Sequence, residues 1–161
     1  MDNKIISSSE LDSYIKKIKH SNKSIILVGG CFDILHKGHI EFLHKAGLLA
    51  DKLLVFLESD GNVKRRKGLF RPIHTQEDRA RIIEKIKGVD AVILLPDITE
   101  DNDYFELVKR CRPDIIGITA GEENVEIFNQ HADAVGARLV EVMPRIKGYS
   151  TQEIINKVKR S

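Results

Sequence analysis

Short apolar runs alternate with amphipathic stretches along most of the chain. Five runs rich in β-branched and aliphatic residues predict strands, at 24–30, 52–59, 90–96, 114–119 and 137–143. Stretches with helical spacing follow them at 38–49, 75–87, 104–111, 124–135 and 151–159. Strands that alternate with helices are typical of βα units, and nearly continuous apolar strands indicate burial on both faces. We therefore predict an α/β fold: an open parallel sheet of about five strands with helices on both faces.

The first 23 residues carry a weaker pattern. The segment 8–20, SSELDSYIKKIKH, has helical spacing, and Ser8 or Ser9 is a plausible cap. We predict an accessory N-terminal helix in residues 1–23 and one larger domain over residues 24–161. A chain of 161 residues can bury a substantial core within a single domain.

The composition narrows the classes of partner. The 26 basic residues nearly balance the 24 acidic ones, so general attraction to nucleic acid or to an anionic membrane is not expected. No apolar run approaches the roughly 20 residues of a membrane span, and the polar start lacks the apolar core of a signal peptide. Cys31 and Cys111 are too few for a disulfide framework and are interpreted as reduced thiols. These features predict a cytoplasmic protein that binds neither nucleic acid nor membrane.

The candidate chemistry lies in four segments that follow predicted strands. In an open parallel sheet, ligands bind at the carboxyl ends of the strands. Most of these segments combine glycine with lysine, arginine, histidine or hydroxyl groups, which suit an anionic ligand such as phosphate. They are 29–39 (GGCFDILHKGH), 60–73 (DGNVKRRKGLFRPI), 119–124 (TAGEEN) and 144–151 (PRIKGYST).

The sequence HKGH at 36–39 is the most informative of these. If His36 lies in the loop and His39 in the first helical turn, both imidazoles face whatever binds the helix N-terminus. Gly38 between them would let a phosphate approach the backbone. Two alternatives are that the histidines only cap and pack, or that they bind zinc, for which a third ligand at a normal spacing is missing.

Three of the segments, in order, resemble one family. GGCFDILHKGH resembles the HxGH signature of the nucleotidyltransferase superfamily, in its cytidylyltransferase-like family. The stretch 59–73 with EDRARII at 77–83 resembles the lysine-rich loop and arginine-bearing helix of the adenylyltransferases that make ADP-heptose. PRIKGYSTQEII at 144–155 resembles the family's second signature. The resemblance implies a Rossmann-like fold and nucleotidyl transfer, in which an acceptor phosphate attacks the α-phosphate of a nucleoside triphosphate and pyrophosphate leaves.

The resemblance also implies roles for individual residues, but no direct protein ligand for a metal. It implies ATP or CTP as substrate, Mg²⁺ carried mainly by the triphosphate, a phosphorylated small-molecule acceptor and a homodimer. The catalytic set would be His36, His39, Lys64 and Arg145. The nucleotide-binding set would be Gly30, Cys31, Phe32, Asp33, Gly38, Gly121, Glu122, Ser150 and Thr151. The acceptor-binding set would be Lys67, Arg71 and Arg79.

Some of these roles have structural alternatives. Asp33 would orient a nucleotide hydroxyl, bind magnesium through water, or hold its own loop by accepting backbone hydrogen bonds. Ser150 and Thr151 would grip phosphates or simply cap a helix, and Lys64 would bridge the substrates or lie in a solvated basic loop. Outside the motifs, His44 and His131 are predicted to be surface residues.

The acceptor substrate is the part of the implied reaction that the sequence determines least. Heptose 1-phosphate with ATP fits the three motifs best, while glycerol 3-phosphate with CTP and FMN with ATP are alternatives. The family usually places aspartate and an aromatic residue after the glycine at 121, whereas this chain has Glu122, Glu123 and Asn124. A nucleotide-sensing module without catalysis and a nucleic-acid-binding protein are the competing classes.

Overall fold

A computed structural model describes residues 3–161 and contains one six-stranded sheet. Every neighbouring pair of strands is parallel, and their order is β1-β4-β3-β2-β5-β6. This confirms the predicted α/β, Rossmann-like class, with one strand more than expected. The strands are β1 (Ile5–Ser7), β2 (Ile25–Gly30), β3 (Lys52–Leu57), β4 (Ala91–Leu94), β5 (Ile115–Thr119) and β6 (Arg138–Met143).

Within residues 3–161, seven α-helices connect or flank these strands, and one 3-10 turn covers Ser8–Glu10. All five helices predicted after strands are present. None of the helices in residues 3–161 combines the length and apolar composition needed to cross a membrane. The helices are α1 (Leu11–His20), α2 (Lys37–Gly47), α3 (Asp60–Lys67), α4 (Gln76–Ile83), α5 (Asp101–Cys111), α6 (Val125–Val135) and α7 (Thr151–Lys159).

The sheet separates two apolar clusters. Successive side chains of a strand point to opposite faces, so Ile25 and Leu27 pack with α1, α5 and α6, while Ile26 and Val28 pack with α2 and α4. Helices therefore cover both faces, as predicted. Among the five strands predicted from the sequence, β6 departs from burial on both faces, because it is an edge strand whose Arg138 and Glu141 are exposed.

The N-terminal segment contributes more than a helix. Helix α1 buries Leu11, Ile15 and Ile18 against the sheet. Ahead of it, β1 pairs with β4, and Ile6 is buried opposite Ile93. A three-residue strand has almost no periodicity of its own, so it forms because the edge of β4 supplies a partner. Met1 and Asp2 lie outside the described residues, and the division into an accessory segment and a main domain stays a prediction.

The basic segment after β3 was predicted to be a loop but forms helix α3. The Ser59 hydroxyl caps it by accepting a hydrogen bond from the Asn62 amide at 3.1 Å. Asp60 lies in its first turn and a run of basic residues in its last, an arrangement that complements the helix dipole. Val63 is its one buried residue. One buried residue gives no amphipathic pattern, so the sequence does not predict this helix.

Candidate active site between strands β2 and β5

A crevice opens where the sheet changes direction. Strands β3, β4 and β1 lie on one side of β2, and β5 and β6 lie on the other. The β2–β5 pairing includes only Ile26 with Ile115 and Leu27 with Ile116, so the carboxyl ends of these two strands separate. A cleft of about 770 Å³ lies there. Such a topological switch point is where open α/β sheets bind ligands.

The loop between β2 and α2 is strained and firmly held. Phe32 and Ile34 have φ values of 49° and 46°, a region that is unfavourable for a β-branched residue. Asp33 is 1 % exposed. Its carboxylate accepts hydrogen bonds from the Ile73 amide at 2.8 Å, the His74 amide at 3.1 Å and Arg71 Nε at 2.8 Å. Of the three roles considered for Asp33, these contacts support the one in which it holds the loop.

The electrostatics of Asp33 agree with that role. Burial alone would raise the pKa of its carboxyl group. The hydrogen bonds from Ile73 and His74 and the Arg71 guanidinium outweigh burial, and the pKa lies below its ordinary value. Asp33 is therefore a charged, fully partnered group inside the protein.

The two signature histidines lie together at the start of α2. His36 is the N-cap, and its Nδ1 accepts a hydrogen bond from the Gly38 amide at 3.0 Å. His39 is in the first turn, and its ring stacks on that of His36 with 3.8 Å between centroids. Because Nδ1 of His36 is an acceptor, the neutral ring carries its proton on Nε2. Both rings line the cleft at a helix N-terminus, as the sequence predicts.

Both imidazoles are neutral near neutral pH. Burial, helped by the neighbouring His36, lowers the pKa of His39 to about 3. Burial also lowers the pKa of His36, although the Glu153 carboxylate opposes that shift. The Nδ1 atom of His39 is buried and has no partner within residues 3–161. Each neutral ring can therefore donate one hydrogen bond. Whether a ring gains a second proton depends on the charge of the group beside it.

Gly38 is required for the packing of residues around the start of α2. A Cβ atom at this position would lie 2.9 Å from Cε1 of the His36 ring and 3.2 Å from the Tyr149 carbonyl oxygen. The absence of a side chain thus lets the His36 ring fold back over its own helix, and it lets the segment before α7 come close. The phosphate approach expected from the sequence is compatible with this packing but is not needed to explain the glycine.

The N-terminus of α7 faces the histidines across the cleft. The Ser150 hydroxyl accepts from the Glu153 amide at 3.1 Å, and the Glu153 carboxylate accepts from the Ser150 amide, which forms a capping box. The Thr151 hydroxyl donates to the Asp33 carbonyl oxygen at 2.6 Å and ties α7 to the β2–α2 loop. Both hydroxyls therefore have structural partners, while Arg145 lines the cleft with an exposed side chain.

The basic residues predicted to contact the substrates divide into two groups. Lys67 and Arg71 line the cleft, and the Arg71 side chain is 11 % exposed because it pairs with Asp33. Lys64 lies on the same helix as Lys67 but does not line the cleft. Its neighbour Arg66 pairs with Glu58. The geometry therefore favours Lys67 over Lys64 as the lysine that meets a ligand.

The structure places Arg79 away from the cleft lining. Its side chain is fully buried, and its guanidinium donates to the carbonyl oxygens of His74, Cys31 and Glu58 at 3.1, 2.5 and 3.0 Å. It also donates to Asp60 at 2.7 Å. These bonds hold together the ends of β2 and β3 and the start of α4. The predicted acceptor contact is replaced by a structural one, because the guanidinium is already fully engaged.

Most of the predicted site residues come together in the cleft. Lys64, Gly121 and Arg79 do not line it, and Gly121 is exposed with a φ of +78°. Both cysteines are free, and burial raises the pKa of the Cys31 thiol, so it is a protonated packing group. The predicted residues that do line the cleft are Gly30, Cys31, Phe32, Asp33, His36, Gly38, His39, Lys67, Arg71, Glu122, Arg145, Ser150 and Thr151.

Sequence reasoning missed an aromatic part of the cleft. Tyr104 from α5 and Phe128 from α6 line it, although neither belongs to a recognised motif. His131, predicted to be a surface residue, is 9 % exposed and stacks on Phe105 at 4.8 Å between ring centroids. The one available signal was the clustering of aromatic residues and a histidine on the core-facing side of α5 and α6.

The model of one protein family matches most of the chain. The family is described as cytidylyltransferase-like, and its match covers residues 27–157. That span includes both signature segments and every strand from β2 to β6 apart from the first residues of β2. This chain belongs to the cytidylyltransferase-like family. The family is the one that the three motifs resemble.

Curated relatives agree with this assignment. The chain is 36 % identical over 151 residues to the bifunctional protein HldE of Helicobacter pylori strain G27, with 94 % of this chain covered. It is 33 % identical over 158 residues to HldE of Wolinella succinogenes, with 98 % covered. The chain spans 31 % and 32 % of the lengths of these two relatives, so it corresponds to about a third of each.

Solved structures support the fold. A lipopolysaccharide core biosynthesis protein from Thermoplasma volcanium matches with a TM-score of 0.62 and 26 % identity, covering 80 % of this chain and 99 % of that protein. Pantoate-beta-alanine ligase from Francisella tularensis matches with a TM-score of 0.62 and 14 % identity, covering 98 % of this chain and 78 % of the ligase. The second likeness concerns the fold alone.

Proposed function

We propose that this protein transfers AMP from ATP to a sugar 1-phosphate, most specifically a heptose 1-phosphate, and releases pyrophosphate. One observation carries the proposal. The His36–His39 pair at the N-terminus of α2 faces Arg145 and the N-terminus of α7 across a single cleft, which Lys67 and Arg71 also line. Two helix N-termini and several cationic or hydrogen-bond-donating side chains suit a triphosphate and a second phosphate.

The proposed reaction needs no protein nucleophile. An oxygen of the acceptor phosphate forms a bond to the α-phosphorus of ATP. The bond between that phosphorus and the α,β-bridging oxygen breaks, and the bridging oxygen leaves with the electron pair as part of pyrophosphate. Positioning and charge stabilisation are the contributions that such a transfer requires from the protein.

The histidines have the larger role in this scheme. Their pKa values are low because the rings are buried, and a triphosphate beside them would raise those values by favouring the charged form. The imidazoles would then donate hydrogen bonds and gain positive charge when negative charge develops on the leaving group. Lys67 and Arg71 would hold the acceptor phosphate, and Arg145 would bind the triphosphate.

Mg²⁺ is part of the proposal through the nucleotide. Within the described residues, no group of three or more histidine, cysteine, aspartate or glutamate side chains is arranged to hold a metal ion. The basic character of the cleft instead suits an ion carried by phosphate oxygens and water. When bound with ATP, the ion would neutralise phosphate charge. The homodimer and the cytoplasmic location stay predictions.

The choice of acceptor rests on the motif resemblance and on the relatives. The segments 59–73 and 77–83 resemble those of adenylyltransferases that make ADP-heptose, and several relatives over 30 % identical are HldE proteins. The Thermoplasma neighbour is named for lipopolysaccharide core biosynthesis. Adenylyl transfer to a heptose 1-phosphate is the reaction on which these separate observations converge.

A panel of substrates tests the proposal. The purified protein is incubated with Mg²⁺, with ATP or CTP, and with glycero-manno-heptose 1-phosphate, mannose 1-phosphate, glycerol 3-phosphate or FMN, and pyrophosphate release is measured. Release that depends on ATP and heptose 1-phosphate supports the proposal. Release with CTP and glycerol 3-phosphate, or with FMN, contradicts the acceptor. ATP binding without release from any pair favours a sensing module.

A further inference from the structure

The cleft has a second wall that the proposed phosphate chemistry does not use. The histidines approach it from the face of the sheet covered by α2, whereas Tyr104 and Phe128 approach from the face covered by α5 and α6. Leu27, Gly29 and Ile116 complete this wall. We call these five residues the aromatic compartment. It is part of the same cleft as His36 and His39, so a single ligand pair can occupy both ends.

The Tyr104 ring is held rigidly in this compartment. It packs edge-on against Phe56 at 5.9 Å between centroids and nearly parallel to His131 at 5.9 Å. His131 in turn stacks on Phe105. A side chain fixed on both sides loses little conformational entropy when it binds a ligand, so Tyr104 is well suited to recognition.

The absence of a side chain at Gly29 of β2 leaves room for the hydroxyl group of Tyr104. A Cβ atom at Gly29 would lie 2.8 Å from the Tyr104 hydroxyl oxygen, so any larger residue would displace it. Within residues 3–161 this hydroxyl has no hydrogen-bond partner, although tyrosine hydroxyls in partly buried positions usually find one. Burial and the nearby Glu58 carboxylate raise the pKa of Tyr104, so the group keeps its proton and can donate.

We propose that the aromatic compartment binds the carbon skeleton of the acceptor sugar, with the Tyr104 hydroxyl bonded to a sugar hydroxyl and the Phe128 ring packed against sugar C–H groups. The inference rests on the proposed function and deepens it by naming the residues that select the sugar. A rigid phenol beside an aromatic face matches a sugar, which presents hydroxyl groups on its edges and C–H groups on its faces.

The proposed position of the phosphates favours the sugar over the nucleobase as the occupant. The triphosphate would lie between the N-termini of α2 and α7, where Tyr149 and Gln152 also line the cleft and offer the base a place to bind. The attacking oxygen must approach the α-phosphorus roughly opposite the leaving pyrophosphate. The acceptor therefore enters from the end of the cleft away from α7, beside the compartment.

The first test removes only the hydroxyl group. Tyr104→Phe is compared with wild type and with Tyr14→Phe, in which a tyrosine remote from the cleft loses a hydroxyl that donates to the Asp90 carbonyl oxygen. We expect Tyr104→Phe to raise KM for heptose 1-phosphate about threefold to tenfold, the range for one hydrogen bond, and to leave KM for ATP within about twofold. Tyr14→Phe should leave both constants unchanged.

Three other results of the Tyr104→Phe kinetics would contradict the inference, the proposed function or both. A rise in KM for ATP alone would place the base in the compartment and overturn the inference, as would unchanged constants for both substrates. An inactive wild-type protein would overturn the proposed function and the inference with it. Turnover by wild type with an unaffected Tyr104→Phe variant would leave the proposed function standing and overturn the inference alone.

A second measurement separates recognition from a structural effect. Wild type and Tyr104→Phe are assayed with heptose 1-phosphates that each lack one hydroxyl group. If Tyr104 bonds a sugar hydroxyl, the variant should lose nothing further with the one analogue that lacks that hydroxyl. An equal loss with every analogue would indicate a purely structural role. Phe128→Leu should raise KM for all the sugars alike while sparing ATP.

Discussion

Two segments beside the cleft differ in how the protein holds them. Residues 31–36, which lead to the histidines, are bound by Arg79 at the Cys31 carbonyl, by Thr151 at the Asp33 carbonyl, and by three donors at the Asp33 carboxylate. Residues 64–70 present exposed lysines, and Phe70 in that segment is 90 % exposed. Hydrogen bonds within the protein fix the first segment, whereas the charged side chains of the second are exposed to solvent.

The contrast indicates a division of labour within one site. Left-handed φ values at Phe32 and Ile34 persist only where surrounding contacts compensate, and the buried groups Asp33 and Arg79 supply those contacts. The histidine end of the cleft is therefore preorganised, as the proposed electrostatic catalysis would require. In the proposed function, the lysine end would gain its partners from the acceptor phosphate. Substitutions in the two segments should accordingly have different effects.

The largest effect is expected at His39. His39→Ala removes a donor from the preorganised end, so we expect kcat to fall about 10²-fold to 10³-fold while the Kd for ATP changes by less than about tenfold. His44→Ala, on the exposed side of the same helix, is the matched control. Steady-state pyrophosphate release and calorimetric ATP binding give the two numbers. Equal losses in turnover and binding would contradict a role in the transition state.

A loss of stability should identify Arg79 as a residue that builds the first segment. Arg79→Lys leaves buried carbonyl oxygens without donors, and we expect a loss of about 3 kcal/mol in the free energy of unfolding. For a chain of this size that corresponds to a fall in Tm of roughly 6–12 °C. Arg81→Lys, exposed on the same helix, should change Tm little. A raised KM for the acceptor with an unchanged Tm would restore the acceptor-binding role.

The Asp33 carboxylate should contribute stability that depends on pH. Its pKa is lowered in the folded state, so its contribution is present above the unfolded value of about 3.9 and is lost as pH falls through the folded value. Asp33→Asn should cost about 2 kcal/mol near neutral pH. The gap between variant and wild type should shrink in acid. Denaturant unfolding at several pH values measures it, and a gap that is independent of pH would contradict this account.

The two lysines of α3 should differ from each other. Lys67 lines the cleft and Lys64 does not, so Lys67→Ala should raise KM for the acceptor about tenfold and Lys64→Ala by about twofold or less. Both side chains are exposed, so neither change should alter Tm appreciably. The reverse order would return Lys64 to the bridging role that the motif resemblance implies.

An NMR titration of the unmodified protein should report the protonation state of His39. The His39 signal should be almost independent of pH from about pH 5 to about pH 8, because burial keeps its pKa near 3. Added ATP should raise that pKa. Histidine Cε1–H shifts measured by NMR report both effects, and a His39 that titrates near its ordinary value without ATP would contradict the buried, neutral pair.

Local patterns were sufficient to predict most of the framework. Strands β2 to β5 carry apolar runs because the sheet buries them on both faces, and the predicted helices α2, α4, α5 and α6 each bury one face. The HKGH segment was placed correctly because an N-cap followed by an apolar helix is a local signal. Strand β1 and helix α3 were missed, since one depends on pairing with β4 and the other has a single buried anchor.

The details of the site depend on tertiary contacts that the sequence does not display. The sequence around a helical arginine is the same whether its side chain faces solvent, a phosphate or three carbonyl oxygens. The sequence therefore does not predict the burial of Arg79. Tyr104 and Phe128 lie on the consecutive helices α5 and α6, and both line the cleft because these helices pack on the same face of the sheet. His131 became a core residue for the same reason.

The most direct test of the account follows the phosphorus atoms of ATP. The protein is incubated with Mg²⁺, heptose 1-phosphate and ATP labelled either at the α-phosphate or at the γ-phosphate, and the products are separated. We expect the α-label in the sugar nucleotide and the γ-label in pyrophosphate. Label from the γ-phosphate in the sugar product, or no product that depends on the acceptor despite bound ATP, would contradict nucleotidyl transfer at this cleft.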